Sequence, residues 1–291
     1  MKNKIALLFV TLFLLNTTSW GEIYLNGQQK GGANIVRWPT NNVGWYLNEN
    51  GAGDGFSYQQ TKDFIQAAYN SWQNVSSSDI TFSYGGSTSG SRNSTDYING
   101  HYWVYNGDEL FEEGAPFYSG EGGLNASAYT SFNINYSTYE LIDVDVRYNG
   151  EKFWQNDYSV YSDIQSVALH EIGHQIGLNH SNVANETLSV MKQPNDPSTN
   201  NRRILKFDDE EGASFLYGGT IIDNETFSGT NYFNWSIEVP NGITITIQSD
   251  ANLYFASGKY LDVFGTLNAI GTSSNPITFN RSGVSGTWGG N

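Results

Sequence analysis

Residues 170–180 read HEIGHQIGLNH, and no other stretch limits the fold as tightly. The chain has four histidines; His170, His174 and His180 all fall here, and the fourth is His101. On a helix, residues four apart share a face, so His170 and His174 can aim at one atom. Glu171 lies one residue along, near that atom but not on the same ray. Gly177 can take a left-handed conformation that ends the helix and turns the chain back, bringing His180 round as a third nitrogen ligand. Three neutral imidazoles with one open position make a catalytic zinc site rather than a closed structural one. Glu171 would be the general base for a water brought to that position. From composition alone, a chance match to HExxHxxGxxH is about one in a hundred thousand. That sets aside a helix whose histidines serve only local hydrogen bonds.

The elongated motif resembles the metzincin clan of zinc endopeptidases, and Ser181, after the third histidine, is the residue that matrixins carry there. Met191, in SVMKQP, resembles the methionine that metzincins place beneath the zinc, a soft apolar floor under the imidazoles. No tyrosine lies two residues after Met191, so a fifth tyrosine ligand of the astacin or serralysin kind is not expected.

Further matches extend the resemblance to the matrixin catalytic domain over most of residues 34–218. WPTNNVGWYLNEN and AAYNSWQNVSSSDITF are similar to that family's first strand, first helix and second strand. PFYSGEGGLNASAY, Pro116 to Tyr129, resembles the loop and edge strand that line its substrate cleft. FDDEEGASFLYG, Phe207 to Gly218, resembles its closing helix. The implied fold class is α+β: a mixed twisted sheet with a zinc-binding active-site helix and a C-terminal helix, followed by a partial all-β module.

Periodicity gives the same order. Asn34–Trp38 and Gly44–Asn48 read as strands or edge segments around Pro39. Ser57 and Gln60 have capping-box spacing ahead of a helix to Asn74, whose apolar stripe is Phe64, Ile65, Ala68, Tyr69 and Trp72. Asp79–Tyr84 alternates as a strand, and Gly85–Thr95 is a Ser/Gly-rich loop. Ile142, Val144, Val146 and Tyr148 alternate with Asp143, Asp145 and Arg147, a half-buried strand. The zinc helix is expected from about Asp163, with Ser162 and Gln165 at capping-box spacing.

A net charge of −15 argues against a nucleic-acid partner. The chain has no cysteine, so neither disulfides nor the matrixin family's propeptide cysteine is available to it. Animal matrixins hold a second, structural zinc with histidines near the edge strand; here that position is Ser127 and only His101 remains, so one zinc is expected. Asp108, Glu109, Glu112, Glu113 and Glu121 crowd the same region, either as a calcium site or as a solvated acidic loop. Residues 1–21 read as a secretory signal peptide: Lys2 and Lys4, an apolar run from Ile5 to Leu15, then the small residues Ser19 and Gly21. An N-terminal membrane anchor is the other reading, although the run is short for a bilayer. No other stretch could span a membrane.

Residues 22–33 are a short segment in which Glu22 is the only acidic residue before Glu49; a pro-segment with the Glu22 carboxylate on the zinc is the expectation. Residues 219–291 form short strands separated by Gly, Ser and Asn turns, resembling the opening coils of a right-handed parallel β-helix, with a compact β-sandwich as alternative. The expected function is a secreted, monomeric zinc endopeptidase acting on proteins and peptides. His170, His174 and His180 are its metal ligands, Glu171 its base, and Met191 its floor. Peptide would lie along Ala126, Ser127 and Ala128, and the family resemblance implies that the stretch around Met191 to Pro194 walls the pocket after the cut. The alternative is an adhesive β-helix protein with a non-catalytic metal domain, against which the intact Glu171 argues.

Overall fold

The computed structural model describes residues 23–24, 28–29, 35–89, 96–105, 126–181, 189–192, 202–233 and 235–281. Glu22, Pro194 and the acidic residues 108, 109, 112, 113 and 121 lie outside them, as does the signal-peptide stretch.

A five-stranded sheet carries the N-terminal two thirds. Its strands are β3 (Asn42–Asn48), β4 (Thr81–Thr88), β5 (Gly100–Val104), β6 (Ala128–Asn135) and β7 (Glu140–Asn149), in the order β4-β3-β5-β7-β6. All neighbours are parallel except β6, which runs antiparallel to β7 and forms an edge. Short pieces β1 (Ile23–Tyr24) and β2 (Gln28–Gln29) precede it, and β1 pairs with β8 (Leu178–Asn179).

Parallel strands need a crossover, and α1 (Tyr58–Gln73) supplies it between β3 and β4. The capping box forms: Ser57 caps the helix and Gln60 reaches back to the Ser57 N–H at 2.9 Å. Its buried face is Thr61, Ile65, Ala68, Tyr69 and Trp72, while Phe64 is half-buried against Phe56. The helix α2 (Ile164–Gln175), which carries His170 and His174, packs against α1 and is buried along its length except at the half-exposed Gln165. It therefore lacks the amphipathic stripe of a surface helix.

Several boundaries differ from the sequence reading. Of the two readings of residues 35–38, a strand or an edge segment, the short one holds: they make one isolated bridge, Arg37 with Glu140. β4 runs on to Thr88, through two glycines that periodicity assigns to a loop; a register shift opposite Trp45 and Tyr46 accommodates them. The cap of α2 is Asp163, not Ser162. The Asp163 carboxylate accepts from the Ser166 N–H at 2.9 Å, and Ser162 Oγ instead donates to the Phe153 carbonyl at 2.7 Å. An ionised carboxylate at a helix N-terminus also meets the helix dipole, and Arg203 pairs with it.

After α3 (Phe207–Ala213) and a π-helical turn at Ser214–Gly218 come eight short strands. These are β9 (Glu225–Phe227), β10 (Thr230–Phe233), β11 (Ile237–Val239), β12 (Thr244–Ile247), β13 (Asn252–Phe255), β14 (Leu261–Val263), β15 (Thr266–Ala269) and β16 (Thr278–Arg281). They pair in parallel as β9-β12-β15, β10-β13-β16 and β11-β14. Phe227, Phe233, Ile237, Val239, Ile245, Ile247, Leu253 and Phe255 are buried, and Phe233 stacks on Phe255 at 4.9 Å. Trp235 meets Phe215 edge-on at 5.6 Å, so this core is continuous with that of the first unit.

Candidate metal centre

The three motif histidines converge. His180 Nε2 lies 3.2 Å from His170 Nε2 and 3.1 Å from His174 Nε2. His170 Nδ1 donates to the Val190 carbonyl at 2.7 Å and His174 Nδ1 to the Leu178 carbonyl at 2.8 Å. A carbonyl can only accept, so each Nδ1 carries the proton and each Nε2 presents a lone pair. A cation placed among the three Nε2 atoms would accept a lone pair from each neutral imidazole. Tetrahedral zinc with Zn–N of about 2.0–2.1 Å sets its nitrogens about 3.3 Å apart, which the observed spacings fit. Burial holds two of the imidazoles neutral: His170 is lowered well below the usual histidine range and His174 is pushed down to about 3. Among the described residues these three form the one cluster of His, Cys, Asp or Glu with metal-ligating geometry.

What turns the chain toward His180 is Gly177, with φ +107. A side chain there would be strained, and its Cβ would lie 2.5 Å from the Val36 carbonyl oxygen. The freed carbonyls at the end of α2 find partners across the fold. Trp38 Nε1 donates to the Gln175 carbonyl at 2.8 Å, and Tyr217 OH, from the closing LYG, donates to the Ile176 carbonyl at 2.6 Å.

Met191 lies buried against α2. A Cβ at Gly173 would collide with its sulfur, so that glycine makes the room it occupies. The turn bearing Met191 hangs on Asp209, whose carboxylate accepts from Ser189 Oγ (2.6 Å) and from the N–H groups of Val190 (2.9 Å), Met191 (3.1 Å) and Lys206 (2.9 Å). Because Val190 also receives the His170 bond, Asp209 holds a metal ligand through one stretch of backbone. Nothing in the sequence singles out Asp209; four acidic residues at the start of a helix read as dipole compensation and solubility.

Glu171 is 5% exposed, and burial pushes its carboxyl up to about 7. A nearby dication would draw it down again. Thr130 Oγ1 donates to Glu171 Oε2 at 2.5 Å. Ala126, Ser127 and Ala128 lead into β6 and are half-exposed along the sheet edge. The Asn149 N–H donates to the Ser127 carbonyl at 2.9 Å, and Asn149 Nδ2 donates to the Ala126 carbonyl at 3.1 Å. His101 stands apart from the cluster. It is buried on β5 between the hydroxyls of Tyr69 (2.7 Å) and Tyr148 (2.9 Å), and desolvation lowers it to about 3, a neutral core histidine.

The profile of the family described as Matrixin matches residues 37–218. The chain is 31% identical to metalloendoproteinase 2-MMP of Arabidopsis thaliana over 177 residues, 59% of this chain and 40% of that protein. It is 32% identical to stromelysin-3 of Xenopus laevis over 117 residues, 40% of this chain and 20% of that protein. It is 23% identical to karilysin of Tannerella forsythia over 287 residues, 92% of this chain and 56% of that protein. The chain thus spans about half or less of these relatives' lengths. With the profile covering both the sheet and the histidine cluster, the chain belongs to the matrixin family.

Proposed function

We propose that this chain is a zinc-dependent endopeptidase, exported from the cell, that hydrolyses peptide bonds of proteins. The observation that carries this is three histidine Nε2 atoms converging within ligand distance of one common point, beside a buried carboxylate held by Thr130. Zinc, when bound, supplies a Lewis acid that acidifies water and polarises the scissile carbonyl. His170, His174 and His180 would hold it, with Asp209 keeping the first of these in place and Met191 forming the floor. Glu171 takes a proton from the attacking water and delivers it to the leaving amine. The free edge of β6 gives an extended peptide backbone groups to pair with, near Ala126, Ser127 and Ala128, by β-augmentation. Pro194 walls the pocket after the cut by resemblance to the family. The Arabidopsis relative is itself named as a metalloendoproteinase.

Two further readings belong to this proposal. Residues 22–33 act as a latency segment with Glu22 on the zinc. In support, Ile23, next to Glu22, pairs with Asn179, next to His180. The strands between residues 225 and 281 are coils of a parallel β-helix: all strand pairs described there are parallel, whereas a sandwich built from hairpins pairs antiparallel. Export rests on the N-terminal sequence; no helix among the described residues is long and apolar enough to cross a membrane.

The test is Glu171→Gln. Its zinc content should stay at one per chain while casein hydrolysis falls to near background, and a zinc chelator should abolish the wild-type rate. Wild-type hydrolysis by the variant would sink the mechanism.

A further inference from the structure

The structure assigns Thr130 as the residue that positions the general base. This rests on the reading of Glu171 as that base. β6 is an edge strand, and among its eight residues, AYTSFNIN, Thr130 alone is buried. A strand with one buried position ordinarily fills it with an apolar side chain, because a buried hydroxyl without a partner costs free energy. Thr130 is 6% exposed and commits its hydroxyl to Glu171 Oε2 at 2.5 Å, with the Glu171 backbone carbonyl also near, at 3.4 Å.

Three physical consequences follow. The hydroxyl donates to the carboxylate, so Oε2 is committed and Oε1 is the oxygen that remains to accept a proton; among the described residues no side chain is hydrogen-bonded to Oε1. Hydrogen bonds to charged groups are the strong ones, and a short O–H···O⁻ bond fixes the carboxylate's rotation. Threonine is also stiff at χ1, so the donor direction is set by the backbone of β6 rather than by a loose rotor. The strand proposed to bind peptide is therefore also the strand that aims the base. The backbone at Thr130 is in turn held opposite Val146 by the β6–β7 register.

Threonine-to-valine keeps the shape and removes the hydroxyl, whereas threonine-to-serine keeps the hydroxyl and removes the methyl. Thr130→Val, Thr130→Ser and Glu171→Gln would be compared with wild type for kcat and KM on one peptide, zinc per chain and melting temperature. Thr130→Val should lose about tenfold or more in kcat, the factor one hydrogen bond to a charged group is worth. Its KM, zinc content and melting temperature should stay close to wild type, and Thr130→Ser should recover most of the rate. If Thr130→Val does not accumulate, Thr130→Ala takes its place against Thr130→Ser. A fully active Thr130→Val beside an inactive Glu171→Gln would overturn the role of Thr130 alone. Equal losses in the Val and Ser variants would overturn it too, since the variant that keeps the hydroxyl would then be no better than the one that lacks it. An active Glu171→Gln would overturn the base itself.

Discussion

Replacing Gly177 with alanine is the most direct test of how this chain brings its third histidine to the other two. The perturbation has two parts. The backbone holds φ +107, a region that costs a non-glycine residue about 1–3 kcal/mol. The new Cβ would also lie 2.5 Å from the Val36 carbonyl oxygen, and backbone cannot yield as a side-chain tip can; overpacking of this kind costs about 1–3 kcal/mol. Against these stands a gain of about 0.4–1 kcal/mol from a stiffer unfolded chain. The net is a loss of about 3 kcal/mol, or roughly 6–12 °C in melting temperature for a unit of this size. The strain falls immediately ahead of β8, the short piece formed by Leu178 and Asn179 that delivers His180. Zinc affinity should therefore fall together with stability. Thermal melting with and without added zinc, and metal analysis after dialysis, read both. A Gly177→Ala protein that melts within about 2 °C of wild type and keeps one zinc would show that neither the dihedral nor the Val36 contact constrains the turn.

Two other outcomes follow from the same structure. Asp145 is 3% exposed, and burial pushes its carboxyl up to about 7, from an ordinary 3.8. The folded chain thus keeps a proton that the unfolded chain has released, so this group's contribution to stability declines as pH rises from about 4 through about 7. Asp145→Asn keeps an oxygen for the Gly100 N–H, held at 3.1 Å, and should be the more stable protein at pH 8, by on the order of 1–4 kcal/mol, with the gap closing toward pH 4; parallel melting curves for the two proteins across that range would refute it. For the N-terminal segment, a chain starting at Ala33 should cleave peptide faster than one starting at Glu22, and equal rates would remove the latency reading.

The sequence by itself determined the centre: HEIGHQIGLNH has the helical spacing for two ligands, a glycine where the chain must reverse, and a third ligand just beyond. Local spacing suffices there because the ligands lie within eleven residues and one turn geometry connects them. It also placed α1 with its capping box through periodicity. Tertiary structure alone decided what holds that centre. Thr130 and Glu171 are 41 residues apart, and Asp209 lies 19 residues beyond the Val190 N–H it binds. Neither pairing has a local signature, because a threonine in a strand and an aspartate at a helix start are ordinary there until the fold buries them. The same holds at Asp163, where the cap lies one residue beyond the expected serine: Ser162 and Asp163 are both competent caps, and long-range partners choose between them. The Phe153 carbonyl takes the serine, and Arg203 supports the aspartate. Desolvation is the common cause, since a polar group withdrawn from water must find a partner, and only the folded chain supplies one.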